Sequence, residues 1–359
     1  MTPSDTTNAA TEMPKTTNPP DTANTAETVS KPGRTVGAEE TDTARSASCP
    51  PSRRTALAAR VETARQAIIA RAPVVLSRLF PPRATGTLAI LMYHRVTDEV
   101  PEVECPTSNV TPEQFRRQMA GLVELGYRPW PLRRALEYHR QAKAIPPKVF
   151  VVTFDDGYAN NYTRAYPVLR EHGIAATIFV PTAYLDSPKP MPFDLWSGVG
   201  REGVDPDAWR PLTTEECREM LGEGLIDLGV HTHTHTDLRG RPELLLDELA
   251  TSAGVLRDRF GIEHPTFAFP FGKVSTGFAA PELMASARQA GMACALTTEN
   301  RLVQPGDDPF GWSRLTAAET DTARTLAAKI DGWYDFLRDG WRRLRRRTTG
   351  NSASDVTKR

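Results

Sequence analysis

Val149-Phe150-Val151-Val152-Thr153-Phe154 runs directly into Asp155-Asp156-Gly157, and these nine residues decide the fold. A short, continuous apolar run suits a strand buried on both faces, the kind found in parallel sheets flanked by helices. Two adjacent carboxylates leaving such a strand are expensive, because like charges buried together cost free energy unless a metal or a partner neutralises them. One carboxylate on a metal and the other as a base would meet that cost. Capping of the next turn with Gly157 accounts for one Asp and leaves the second unexplained.

Outward from this strand the chain alternates. Leu88 to Met92, Ala176 to Val180, Ile226 to Val230, Thr266 to Phe269 and Ala293 to Leu296 read as further strands. Helices are expected to open at Thr111-Pro112-Glu113, over Tyr162 to His172 with Gly173 as the stop, and over Thr214 to Leu221, Pro242 to Phe260 and Pro281 to Ala290. Strand then helix, repeated across residues 85–320, predicts an α/β domain with a parallel sheet, open or closed into a barrel.

The flanks read differently. Residues 1–54 are Thr, Ala, Pro, Asp and Glu with few large apolar side chains, a composition that cannot offset its ordering entropy and predicts disorder. Residues 55–84 form a helical lead-in interrupted at Pro73, and residues 321–347 an amphipathic basic helix with Ile330, Trp333, Leu337, Trp341 and Leu344 on one face. Its five arginines between Arg342 and Arg347 mark either a solvated end or contact with an anionic membrane surface. Residues 348–359 are expected to be a disordered tail.

Lys plus Arg and Asp plus Glu are both 44, so no whole-chain field favours nucleic acid, and none is expected as a partner. Cys49, Cys105, Cys217 and Cys294 make no CxxC pair and are read as reduced. Without a basic start followed by an apolar core near residue 1, or a membrane-length apolar run, the expected location is cytoplasmic or peripheral at the inner membrane face.

Two more clusters sit at strand ends, where α/β enzymes keep their chemistry. His231-Thr232-His233-Thr234-His235 holds three of seven histidines within five residues, a density that suits metal coordination. If the segment stays extended, all three share a face. If it curls, His231 and His235 converge, His233 turns away, and a carboxylate of the first cluster completes the site. The other cluster, Phe267-Ala268-Phe269-Pro270-Phe271-Gly272-Lys273, reads either as apolar filling of the rim or as a turn that stacks on a sugar ring and aims a backbone N–H at an oxyanion.

Thr-Phe-Asp-Asp-Gly, then Gly-Val-His-Thr-x-Thr-His, then Phe-Ala-x-Pro-x-Gly, in this order from Leu88 to Thr316, resembles the polysaccharide deacetylases of carbohydrate esterase family 4, the NodB-homology domain. The resemblance implies a distorted (β/α) barrel in a single catalytic domain over residues 85–320. It implies Asp155 as general base and Asp156, His231 and His235 as ligands of a divalent metal, zinc (Zn2+). Pro270, Phe271 and Gly272 would contact substrate. Two features depart from the family: an arginine often found before the Pro-x-Gly loop is absent, and no late Leu-x-x-His histidine is present. Leu91-Met92-Tyr93-His94-Arg95-Val96 instead resembles the branch with poly-N-acetylglucosamine deacetylases, which puts the general acid on His94. Arg314, in Trp312-Ser313-Arg314-Leu315, is expected to orient Asp155 in place of the missing arginine.

The expected reaction is hydrolysis of N-acetyl groups on an N-acetylated glycan, yielding acetate and a free amino sugar. A metal-dependent amidase or O-acetyl esterase on a related barrel is the rival enzyme. A non-catalytic glycan-binding relative is the other alternative, and the presence of Asp155 argues against it.

Overall fold

The computed structural model describes residues 71–99, 109–194 and 204–340. The expected disorder of residues 1–54 and 348–359 lies outside them, as do Cys49 and Cys105. Its elements in chain order are β1 Ala89–Tyr93, β2 Arg95–Val96, β3 Asn109–Val110, α1 Pro112–Glu124, β4 Arg128–Pro129, α2 Leu132–Arg140, β5 Val149–Phe154, α3 Tyr166–His172, β6 Ala176–Val180, α4 Thr214–Gly222, β7 Ile226–Val230, α5 Pro242–Phe260, β8 Phe267–Ala268, α6 Pro281–Gln289, β9 Ala295–Leu296, β10 Leu315–Thr316 and α7 Ala323–Ile330. A π-helical turn, Asn161–Ala165, leads into α3.

All main-sheet pairings are parallel, in the order β10-β1-β5-β6-β7-β8-β9 with β4 also on β5. The ring closes through residues 312–316: Trp312 bridges Leu296 of β9 in parallel, and Leu315 pairs with Leu91 of β1. The strands therefore curl into the expected distorted barrel, one stave of which is split.

Alternation along each strand sorts side chains into two cores. Leu91, Val152, Ile178 and Leu228 pack with Phe115, Leu122, Leu245 and Leu256 of the surrounding helices. Ile90, Val151, Phe179, Ala268 and Leu296 face the barrel interior together with Trp312, and Leu132 and Leu136 of α2 close the interior from the amino ends of the strands. Thr153 and Asp155 continue the inward parity of Val151. The continuous apolar sequence of β5 thus serves two cores at once, and its first polar inward groups emerge at the opposite mouth.

The carboxy-terminal expectation needs correction. Instead of one helix across residues 321–347, α7 stops at Ile330, and residues 333–340 form a separate helical segment. Gly332 between them has φ +78°, a left-handed conformation that ends a helix, and a Cβ there would lie 2.8 Å from Ala84 Cβ. Trp341, Leu344 and the arginine run lie outside the described residues. At the other end residues 71–79 form a helix that runs through Pro73, near its first turn where a proline is tolerated, so the interruption expected at that residue is not seen among the described residues; the lead-in before residue 71 lies outside them. Cys217 and Cys294 are buried free thiols.

Candidate active site

The extended backbone of β5 ends at Asp155, whose N–H donates to the Tyr93 carbonyl (3.0 Å) as if the strand continued. Asp156 then takes φ +69° and Gly157 φ +63°. That reversal sends the two carboxylates into different surroundings. Left-handed backbone recurs around the mouth at Thr232, His235, Phe271 and Gly272. For non-glycine residues it costs on the order of 1–3 kcal/mol each, and such strain concentrates where function fixes the geometry. Gly272 is enforced sterically, since a Cβ would meet Thr298 N and Phe269 O at 3.0 Å.

Asp155, 2% exposed, is gripped by the guanidinium of Arg314, itself 0% exposed. Nη1 donates to Oδ1 (2.5 Å) and Nη2 to Oδ2 (2.7 Å). Arg314 is held in turn by Nε donating to the Thr297 carbonyl (3.1 Å). Burial alone would raise the Asp155 pKa, but Arg314 first, then His231 and His94, hold it below the usual carboxylate value. His94 Nε2 lies 3.9 Å from Asp155 Oδ2, with the imidazole partly open to solvent. Its loop is pinned from the π turn, a form often found at functional sites: Asn161 Nδ2 donates to the His94 carbonyl (2.9 Å), and Val96 N–H donates to Asn160 Oδ1 (2.8 Å).

Asp156 faces histidines instead. Its Oδ1 is 3.5 Å from both His231 Nε2 and His235 Nε2, and one ligand atom from each of the three residues lies within 4.8 Å of the others. The segment after β7 therefore curls. His231 Nδ1 lies 2.7 Å from the Ala268 carbonyl; a carbonyl can only accept, so Nδ1 carries the hydrogen and Nε2 presents its lone pair, the orientation of a metal-ligating imidazole. Burial opposes charge on His231, yet Asp155 and Asp156 raise its pKa; burial and then His231 lower His235 to about 4, leaving it neutral near pH 7. Burial opposes ionisation of Asp156 too, but the His231 hydrogen bond and the nearby histidines lower its pKa overall. One carboxylate and two imidazoles in this arrangement fit a divalent ion with an open position.

His233 points elsewhere, its Nδ1 2.9 Å from Thr182 Oγ1. Sequence reading missed the group that shapes this turn. Glu248 of α5 accepts from the N–H groups of His233 and Thr234 at Oε2 (2.7 Å each) and from the Thr234 hydroxyl at Oε1 (2.8 Å). Its signature was a carboxylate inside the buried stripe Leu245, Leu249, Ser252 and Leu256. Also missed was Phe193, which stacks on His235 with centroids 3.7 Å apart. Beneath the mouth, Arg95 pairs with Asp194 in a buried contact and lies over the Tyr158 ring.

Pro270 is buried, whereas Phe271 stands half exposed at the rim, its ring 5.1 Å from His235 and 4.8 Å from Phe278. The Phe271 N–H donates to no group among the described residues. All nine residues singled out from the sequence therefore gather at one mouth of the barrel.

Residues 142–295 match the sequence model of the polysaccharide deacetylase family. Bacillus subtilis YxkH, named as a polysaccharide deacetylase, is 28% identical over 245 residues, covering 68% of this chain and 76% of its own length. The poly-beta-1,6-N-acetyl-D-glucosamine N-deacetylase of Escherichia coli K12 is 33% identical over 147 residues, 41% of this chain; the matched part is 20% of that larger protein. Among solved structures, IcaB from Ammonifex degensii superposes with a TM-score of 0.56 at 25% identity, covering 68% of this chain and 97% of that one. The Asp-Asp strand end, the curled histidine turn and the barrel agree with these matches: residues 142–295 are similar to the polysaccharide deacetylase family, and the chain resembles both YxkH and the poly-N-acetylglucosamine deacetylases.

Proposed function

We propose that the protein removes N-acetyl groups from a polymer of N-acetylglucosamine, releasing acetate and leaving cationic amino sugars. The observation that carries this reading is the division of the two carboxylates: Asp155 clamped by Arg314, Asp156 turned onto His231 and His235. In our reading Asp156, His231 and His235 hold zinc, which when bound supplies a Lewis acid beside the acetyl carbonyl and makes water reactive near neutral pH.

The remaining work falls to the chain. Asp155, kept ionised by Arg314, takes the proton of the attacking water, a role worth typically 10²–10⁴ in rate. The Phe271 N–H, aimed by the strained Pro270-Phe271-Gly272 turn, receives the developing oxyanion. His94, whose Nε2 lies 3.9 Å from Asp155 Oδ2, delivers a proton to the leaving amine. Partly exposed Phe271 offers an aromatic face to the sugar's C–H groups.

Acetate release from β-1,6-linked N-acetylglucosamine oligomers, measured beside O-acetylated sugars and small acetamides with metal content determined on the same sample, tests the proposal. Turnover confined to the N-acetyl oligomers and proportional to bound metal is expected. Preference for the O-acetyl sugars would replace the amidase assignment with an esterase.

A further inference from the structure

The deacetylation site occupies the carboxyl ends of the strands, and the other end of the barrel carries a surface that site does not use. The helical residues 71–79 bury Pro73 and turn Arg71, Val75, Arg78 and Leu79 to solvent, positions that share one helical face. Val75 is 50%, Leu79 70% and Phe80 52% exposed. Scattered exposed apolar side chains are ordinary. Here they are contiguous with a second group, since Phe80 contacts Trp333 (6.1 Å between centroids) and Trp333 contacts Phe336 (5.8 Å), which is 46% exposed.

Beside this patch opens a cleft of about 430 Å³, walled by Phe80, Leu125 and Tyr127 and carrying Arg78, Lys148 and Arg324 against one acid, Asp331. The three cations are exposed. Among the described residues no acidic side chain pairs with Arg78 or Arg324. Beyond residue 340 the sequence continues into the five arginines between Arg342 and Arg347.

We propose that this end of the barrel docks on an anionic phospholipid bilayer, with Val75, Leu79 and Phe80 entering the interface and the cleft cations meeting lipid phosphates. Charge decides between this occupant and a protein partner. The core of a protein interface is depleted of charge, whereas here Arg71 and Arg78 alternate with the apolar side chains along one helical face, the pattern of an interfacial anchor. Orientation follows from the strand. Lys148 immediately precedes β5 and Asp155 immediately follows it, and six residues of strand rise about 20 Å. A docked protein would therefore turn its catalytic mouth away from the lipid, towards a glycan standing off the membrane.

Co-sedimentation of the full chain with vesicles of phosphatidylglycerol and phosphatidylcholine, against phosphatidylcholine alone, tests the surface. Binding to the anionic vesicles, weakened by added salt, is expected. Leu79→Glu with Phe80→Glu should lower partitioning more than tenfold, and Arg78→Gln with Arg324→Gln at least tenfold. All four positions are exposed, so the melting temperature should hold; if the glutamate pair melts early, Leu79→Ser with Phe80→Ser is scored in its place. Absence of vesicle binding overturns the proposal. So does binding that survives both pairs and is lost only when the arginines of Arg342 to Arg347 are replaced, and so does a Leu79 variant that dissociates a dimer without changing vesicle binding.

Discussion

Asp155 and Asp156 are the same chemical group one residue apart, and His231 and His94 act on both, yet the structure gives them different principal partners. Around Asp155 the neighbours are permanent: a fully buried guanidinium making two hydrogen bonds, with the barrel interior behind it. Around Asp156 they are imidazoles, able to lose a proton and share an ion. The switch from extended backbone to φ +69° at Asp156 makes the difference. Paired carboxylates therefore need no difference in sequence context to take different roles; a change of backbone conformation between them is enough.

The largest effects should come from the histidine side. His231→Ala or His235→Ala leaves two protein ligands, and metal retained after dialysis, with activity, should fall at least a hundredfold, while His233→Ala keeps its metal. Equal loss in all three would contradict the curled turn. On the other side, Arg314→Met leaves Asp155 buried without its cation, a change that costs about 3–5 kcal/mol in comparable pairs, visible in chemical denaturation. Because Arg314 lowers the Asp155 pKa, its removal lets burial raise that pKa, so the acid limb of kcat/KM should move to higher pH. An unmoved limb would take Asp155 out of the profile.

Smaller effects test the supports. His94→Gln should lower kcat by about a hundredfold, the lower range for a lost general acid, without changing metal content. Glu248→Gln keeps the shape of its contacts to His233 and Thr234 but removes the charge, and should weaken metal binding by about tenfold, the lower end for groups that orient ligands. Because Glu248 touches neither substrate nor metal, a titration of metal affinity separates positioning from a general loss of fold.

What was legible in the sequence follows the same division. Val149–Phe154, Ala176–Val180, Ile226–Val230 and Pro242–Phe260 appear with the expected bounds, because a strand feeding two apolar cores or a helix between Pro and Gly advertises both ends. Leu132–Arg140 was missed: only a narrow stripe of Leu132, Ala135 and Leu136 is buried, among arginines and a histidine. β10 is two residues long and is fixed by its neighbours, not by its own pattern. The single carboxy-terminal helix failed at Gly332, whose left-handed turn overrode a continuous amphipathic period. At the site, the motif residues were visible because their chemistry is dense, whereas Glu248, Phe193 and the Asn160-Asn161 support act through contacts distant in sequence.

The central claim, that one carboxylate moves protons and its neighbour holds metal, is tested most directly by comparing Asp155→Asn and Asp156→Asn for metal-to-protein ratio and acetate release after dialysis at neutral pH. Asp155→Asn should keep a full complement of metal and lose activity by about 10³-fold, within the range of a missing general base, and Asp156→Asn should lose metal and activity together. Metal retained by Asp156→Asn, or lost by Asp155→Asn, would contradict that claim.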